Sequence, residues 1–427
     1  MQKPLTRITA VRARQVLDSR GNPTVEAEVF AGRMAGRASV PSGASTGSHE
    51  ALELRDGDTR KFHGRGVTKA VYNVNSVIGP KLVGIDSTDL EKIDGMMMKL
   101  DGTADKSRLG ANAILAVSMA AARLSATVLG VGLYSQLRSR KDYSLPVPMM
   151  NVINGGEHAG NELAIQEFLI EPVGAKSCGE AIRMGSEVYQ SLKAILIAKY
   201  GRGAINVGDE GGFAPQLSRT RDALAAISEA IREAGHEGDV RIGIDAAAST
   251  FHDGKADRYV LDGTTMSAGE LEEFYVALVD EFSLLTIEDP FSEESEADFR
   301  SITKRLGRRT KIIGDDIYVT NVSRIRKGMR VGASNAVLIK LNQVGTVTET
   351  EKAIELARSG GWSVAVSHRS GETEDPFISH LATAFEAEFI KTGAPARGER
   401  IAKYNELIRI EEELGPKTRY AGRSLAR

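Results

Sequence analysis

Between residues 241 and 392, short apolar runs end one after another in a polar or charged side chain. RIGI leads into Asp245, SLLTI into Glu288, KIIG into Asp315, AVLI into Lys340, WSVAV into Ser367, His368 and Arg369, and EFI into Lys391. The intervals are 43, 27, 25, 27 and 24 residues. A strand, a helix and a return to a parallel strand need roughly 25 residues or more. The last five runs therefore read as consecutive βα units, and the first gap as a unit carrying an insertion. Short β-branched runs suit strands buried on both faces, as in a parallel sheet. Functional side chains at the C-terminal ends of several strands are the layout of a βα-barrel active site. A doubly wound open sheet with polar strand ends is the alternative. The fold class expected is α/β.

A chain of 427 residues exceeds one compact core, so a second domain is expected beside the barrel. Residues 6–40 alternate as strands do, and 66–137 turn helical, with Val67, Ala70, Val71, Val74 and Ile78 on one face. Residues 109–128 are Ala- and Leu-rich and read as a buried helix. RSRKDYSLPVP (138–148) breaks the pattern with cations and prolines, and places the domain boundary at about 140. The expected division is 1–140, 141–415 and a loose basic tail at 416–427. Thr348 to Glu351 reads as a capping box opening a helix that Gly360 and Gly361 close. Lys plus Arg is 55 against 57 acids, which argues against a nucleic-acid or membrane-surface protein. The single cysteine, Cys178, excludes an internal disulfide and reads as packing. With no signal-like segment and no apolar run of membrane length, a soluble intracellular protein is expected.

Asp245, Glu288 and Asp315 are carboxylates on one rim, without neighbouring thiols. Hard oxygen donors of that kind select Mg²⁺ or a similar cation. Taken singly, each reads first as a helix cap, and it is three in register on one rim that point to a metal. Lys340 and Lys391 end two further strands. Beside a metal they suit either an anion held between them or a lysine of lowered pKa acting as base, which needs a shift of about 3 units. Ser367, His368, Arg369 and Ser370 add hydroxyls and a guanidinium suited to phosphate or carboxylate. Glu210, in the loop VGDEGGFAP, and Glu167 supply a carboxyl group able to give a proton. Such a set suits removal of a proton next to a carboxylate.

The motifs VLDSRGNPTVE (16–26), VPSGASTG (40–47), VGDEGGFAP (207–215), IEDP (287–290), GDD (314–316), IKLNQ (339–343), SHRSGETED (367–375) and KTGAPAR (391–397) together resemble those of the enolase family. The resemblance implies an N-terminal α+β domain capping a modified, TIM-like βα-barrel. It also implies interconversion of 2-phosphoglycerate and phosphoenolpyruvate. By that resemblance Asp245, Glu288 and Asp315 hold a structural Mg²⁺, and Ser45 serves a second Mg²⁺ that arrives with substrate. Lys340 takes the C2 proton, and Glu210, with Glu167 beside it, protonates the leaving hydroxyl. His158, Gln166, Ser367, His368, Arg369, Ser370 and Lys391 contact the substrate, and a cytoplasmic homodimer or higher homo-oligomer is implied. The chain departs from the family pattern at Thr250, Pro376, Gly398, the segment after EDP, and most densely over 379–389.

Two other functions remain open on sequence. A dehydratase for another hydroxy acid would lack the phosphate clamp, yet Ser45, Arg369, Ser370 and Lys391 are present. A surface-binding or RNA-decay scaffold would not need the catalytic set.

Overall fold

The computed structural model describes residues 6–43, 49–416 and 418–425. Ser45 thus lies outside the described residues, as does the side chain of His158. The N-terminal part is a three-stranded antiparallel meander, β1 (Ala10–Leu17), β2 (Pro23–Ala31) and β3 (Met34–Ser39). Alternate residues of β2, namely Val25, Ala27, Val29 and Ala31, are fully buried, as period-2 patterning requires. They face the helix Ala111–Leu129, which lies almost flush on the sheet. A Cβ at Gly36 would stand 2.1 Å from the Ala120 carbonyl oxygen, so only glycine permits that approach. This helix is long and apolar enough to cross a bilayer, but 83% of its apolar window is buried inside the fold. It is a core helix.

The expected helical run from Val67 buries Val67, Ala70, Val74 and Ile78. Its second half, Asn73–Ile78, widens to a π-turn. The turn aims Asn75 at the edge of β1, where its amide pairs with both N–H and C=O of Ala13 at 2.8 and 3.1 Å. An open sheet edge is thereby blunted.

The barrel closes from eight strands: β4 (Val147–Asn154), β5 (Glu167–Glu171), β6 (Arg241–Asp245), β7 (Thr286–Glu288), β8 (Lys311–Gly314), β9 (Ala336–Ile339), β10 (Ser363–Ser367) and β11 (Phe389–Lys391). Strand β5 runs antiparallel to both neighbours, and every other pair is parallel. The reversal matters for function. The start of β5, not its end, reaches the rim where the other strands finish. Glu167 pairs in register with Asp245, and Asp245 with Glu288. The 43-residue gap holds the expected insertion, a small three-stranded antiparallel sheet over 252–266.

Two local expectations need correction. The helix Val347–Ser359 is capped by Thr346, two residues before the expected box. Thr346 Oγ1 donates to Glu349 Oε2 at 2.6 Å and accepts from the Glu349 N–H. Thr348 is instead bound from the N-terminal part, its N–H and hydroxyl donating to the buried Asp94 carboxylate. The C-terminal segment was expected to be loose, yet its residues Arg419 and Tyr420 are anchored. Arg419–Tyr420 pairs with Ser144–Leu145, and buried Tyr420 donates to the Pro172 carbonyl at 2.9 Å. An aromatic ring that finds a pocket outweighs the polar composition around it. The basic stretch after Leu137 is likewise paired. Arg138 contacts Glu355 at 2.5 Å and Arg140 contacts Glu386 at 2.6 Å. The divergent 379–389 segment packs internally, with Glu388 accepting from the Val364 N–H and from Arg358.

Candidate active site

At the C-terminal mouth of the barrel lies a cavity of about 390 Å³. Its walls carry Gln166, Glu167, Glu210, Asp245, Asp289, Asp315, Asp316, Lys340, Ser367, His368, Arg369, Ser370 and Lys391. Thr250, one of the divergent positions, lies at its margin.

The strand register puts Glu167, Asp245 and Glu288 in one row, and Lys391 at the end of β11 reaches all three. Its Nζ donates to Asp245 Oδ2 at 2.7 Å and to both Glu288 oxygens at 2.9 Å, and stands 3.2 Å from Glu167 Oε1. Burial alone would lower the Lys391 pKa, but Asp245, Glu167 and Glu288 together hold it well above the ordinary value. Burial, then the Asp245 carboxylate, pushes Glu288 well up.

Across the mouth, Lys340 forms an ion pair with Asp315 Oδ2. Burial works to lower the Lys340 pKa, and Asp315 outweighs it, so the amine is held above its usual range. Asp315 Oδ1 accepts from Gln343 at 3.2 Å. The carboxylates expected to share one cation are thus divided in this arrangement: Asp245 and Glu288 meet on Lys391, and Asp315 meets Lys340. Asp315, Asp289 and Asp316 each bring a carboxylate oxygen within 4.8 Å of the other two. Asp289 ties the rim together, accepting the Asp315 and Asp316 N–H groups at 2.8 Å each. Burial and Asp315 push the Asp316 carboxyl up to about 7.

Glu210 is placed by a fold-back of its loop onto β4. A Cβ at Gly212 would come within 2.7 Å of Asn154 Oδ1, so a larger residue there would have to displace that buried side chain. Asn151 Nδ2 donates to Glu210 Oε2 at 3.0 Å, and His368 Nε2 lies 3.5 Å from Oε1. Burial, then Glu210, pushes the Glu167 pKa well above the carboxylate range. Ser367 directs its hydroxyl to the His368 carbonyl at 2.9 Å. Arg369 is held by Glu50, at 3.0 and 3.2 Å, and by Asn342 at 2.8 Å. Glu50 comes from the N-terminal part, which so helps build the mouth. That part also bonds Ser42 to Gly371 through a pair of backbone hydrogen bonds.

Sequence reasoning passed over Asp289, Asp316, Gln343, Glu50 and Arg400. The first three adjoin or share motifs with predicted residues, so the signal was present. Arg400 sits on an ordinary amphipathic helix, Gly398–Leu414, and Glu50 in a loop, and nothing local marks either.

The donor set fits a hard divalent cation. Glu167, Asp245, Asp289, Asp315 and Asp316 line one mouth together with Lys340, Lys391 and Arg369, and Glu288 joins them through Lys391. Carboxylates at such range repel strongly without a cation among them.

A two-domain βα-barrel whose mouth combines clustered carboxylates with two lysines defines a cation-dependent acid–base enzyme. Residues 142–427 match the family model described as the enolase C-terminal TIM barrel domain, and residues 8–137 match the enolase N-terminal domain. The chain belongs to the enolase family. It is 55% identical to the enolase of Methanocaldococcus jannaschii over 418 residues, 98% of this chain and 97% of that protein. It is 55% identical to that of Thermococcus gammatolerans over 425 residues, 99% and 98% of the two chains. The Methanosarcina barkeri enolase is 53% identical over 415 residues, 97% and 96%. The chain is a Mg²⁺-dependent lyase that reversibly dehydrates 2-phosphoglycerate to phosphoenolpyruvate.

Proposed function

We propose the following division of labour in that reaction. Asp245, Glu288 and Asp315 hold one Mg²⁺, and Ser45 serves a second. A divalent ion there supplies positive charge where the deprotonated substrate carboxylate gains negative charge. Lys340 removes the C2 proton. A cation that neutralises Asp315 removes the largest influence holding the Lys340 amine charged; burial and the Arg369 guanidinium then favour the free amine against the smaller pull of Asp316 and Glu288. Glu210 protonates the departing C3 hydroxyl, with Glu167 as its neighbour. Burial and the facing Glu210 push the Glu167 carboxyl up, so the neighbour of the proposed acid keeps its proton to higher pH. Lys391, Arg369, Ser370, Ser367, His368, Gln166 and His158 orient the phosphate and carboxylate. Lys340 and Glu210 stand on different loops of the rim, so the proton and the hydroxyl leave from different sides.

The observation that carries this assignment is the convergence of Glu167, Asp245 and Glu288 on Lys391, with Lys340 and Asp315 facing them across one cavity. The test is ultraviolet absorbance of phosphoenolpyruvate formed from 2-phosphoglycerate, with Mg²⁺ and then with chelator. Activity that the chelator abolishes supports the assignment, and a folded, Mg²⁺-loaded protein without activity refutes it. The division into 1–140 and 141–415, a homodimeric or larger assembly and a cytoplasmic location complete the proposal. They rest on the motif order and on family membership.

A further inference from the structure

Two consecutive β-branched residues, Val319 and Thr320, hold left-handed backbone angles, with φ of 43° and 57°. Side chains branched at Cβ are true outliers there. Such strain persists only where surrounding structure over-determines it, and it gathers at functional sites. The turn is built by the Tyr318 and Val319 N–H groups, which both donate to the Asp315 carbonyl. It brings the fully buried Thr320 hydroxyl under the mouth of the barrel. That hydroxyl accepts the backbone N–H of Lys340 at 2.9 Å and donates to Gln343 Oε1 at 2.7 Å. With its oxygen so engaged, Gln343 turns Nε2 toward Asp315 Oδ1 at 3.2 Å and Glu50 Oε1 at 3.3 Å.

We infer that Thr320 is a positioning residue. Through one hydroxyl it fixes where the Lys340 backbone leaves β9 and, by way of Gln343, which way the Asp315 carboxylate faces. The strained turn is what allows a residue of the β8 loop to grip the end of β9. Neither Thr320 nor Gln343 lines the cavity. Their effect is therefore on the groups that do. Outer partners of metal-holding carboxylates change metal affinity or activity by about 10- to 100-fold.

The inference rests on the proposed role of Asp315, and the experiment separates the two. Mg²⁺ binding to chelator-stripped protein is measured by titration calorimetry, without turnover, for the parent, Thr320→Val, Thr320→Ser and Asp315→Asn. Valine keeps the β-branch and the volume but removes both hydrogen bonds, and serine keeps the hydroxyl. Thr320→Val is expected to bind Mg²⁺ about 10- to 100-fold more weakly. Thr320→Ser should titrate like the parent. Parental affinity in Thr320→Val, with Asp315→Asn impaired, overturns the inference alone. Parental affinity in Asp315→Asn overturns the ligand assignment beneath it. A serine variant as impaired as the valine one also overturns it, because the hydroxyl would then be irrelevant. Should Thr320→Val not fold, Gln343→Met leaves the strained turn intact and must show the same weakening. Parental binding by Gln343→Met contradicts the proposal.

Discussion

Arg400 Nη1 donates a 2.7 Å hydrogen bond to His368 Nδ1, and this fixes which face of the imidazole carries a proton. A guanidinium only donates, so Nδ1 must be the lone-pair nitrogen and Nε2 the N–H that faces Glu210. Arg400 is wholly buried, and its remaining Nη–H groups bind the carbonyls of Asp209, Arg369 and Ser370. One side chain thereby sets the loop after β10 against the loop that carries Glu210.

His368 is accordingly expected to stay neutral throughout the working range. Burial pushes its pKa well below the usual value, and Glu210 only partly opposes this. Nitrogen-15 NMR of the imidazole should show the Nε2–H tautomer unchanged from pH 8 to about pH 5. Titration near the ordinary histidine value would contradict it.

The mouth of the barrel was largely legible in the sequence because strand ends advertise themselves. Lys340, Lys391 and the three predicted acids each follow an apolar run at βα spacing. The reversal of β5 was not legible, since three apolar residues with a glutamate at each end read alike in either direction. Nor was the partition of the acids between Lys340 and Lys391, which depends on side-chain geometry across the barrel. The cap of the helix after Lys340 was misplaced because Thr346 and Thr348 are equivalent locally. Only Asp94, some 250 residues away, distinguishes them.

The ion pair of Arg123 with Asp375 joins the N-terminal helix to the loop beyond Arg369. Arg123 Nη1 lies 2.6 Å from Asp375 Oδ2, and the same carboxylate accepts the Ser39 and Phe377 N–H groups. Burial pushes the Asp375 carboxyl up, but Arg123 and these donors hold it below the ordinary range. Its contribution is therefore present above the unfolded carboxylate pKa and lost as pH falls toward the lower folded value. Asp375→Asn should cost about 3 kcal/mol in denaturant unfolding at pH 7, and less at pH 3. A double-mutant cycle with Arg123→Met should show strong coupling, and simple additivity would refute the pairing.

Glu171 has the opposite sign. It lies at the far end of β5, fully buried. Oε1 accepts from Thr286 at 2.7 Å, and Oε2 has no hydrogen-bond partner among the described residues. Burial pushes its carboxyl up to about 7. Between the unfolded carboxylate pKa and that value only the unfolded state ionises, so stability falls as pH rises through this window. The loss above pH 7 is of order 3 kcal/mol. Glu171→Gln should raise the melting temperature more at pH 8 than at pH 5. An equal shift at both would show that Glu171 does not titrate there.

The role of Lys340 is tested most directly by deuterium exchange at C2 of 2-phosphoglycerate, followed by NMR in heavy water for the parent and Lys340→Ala. The variant should fold and bind Mg²⁺ while exchange at C2 disappears. Exchange at the parental rate from that folded, Mg²⁺-bound variant would mean that another group takes the proton.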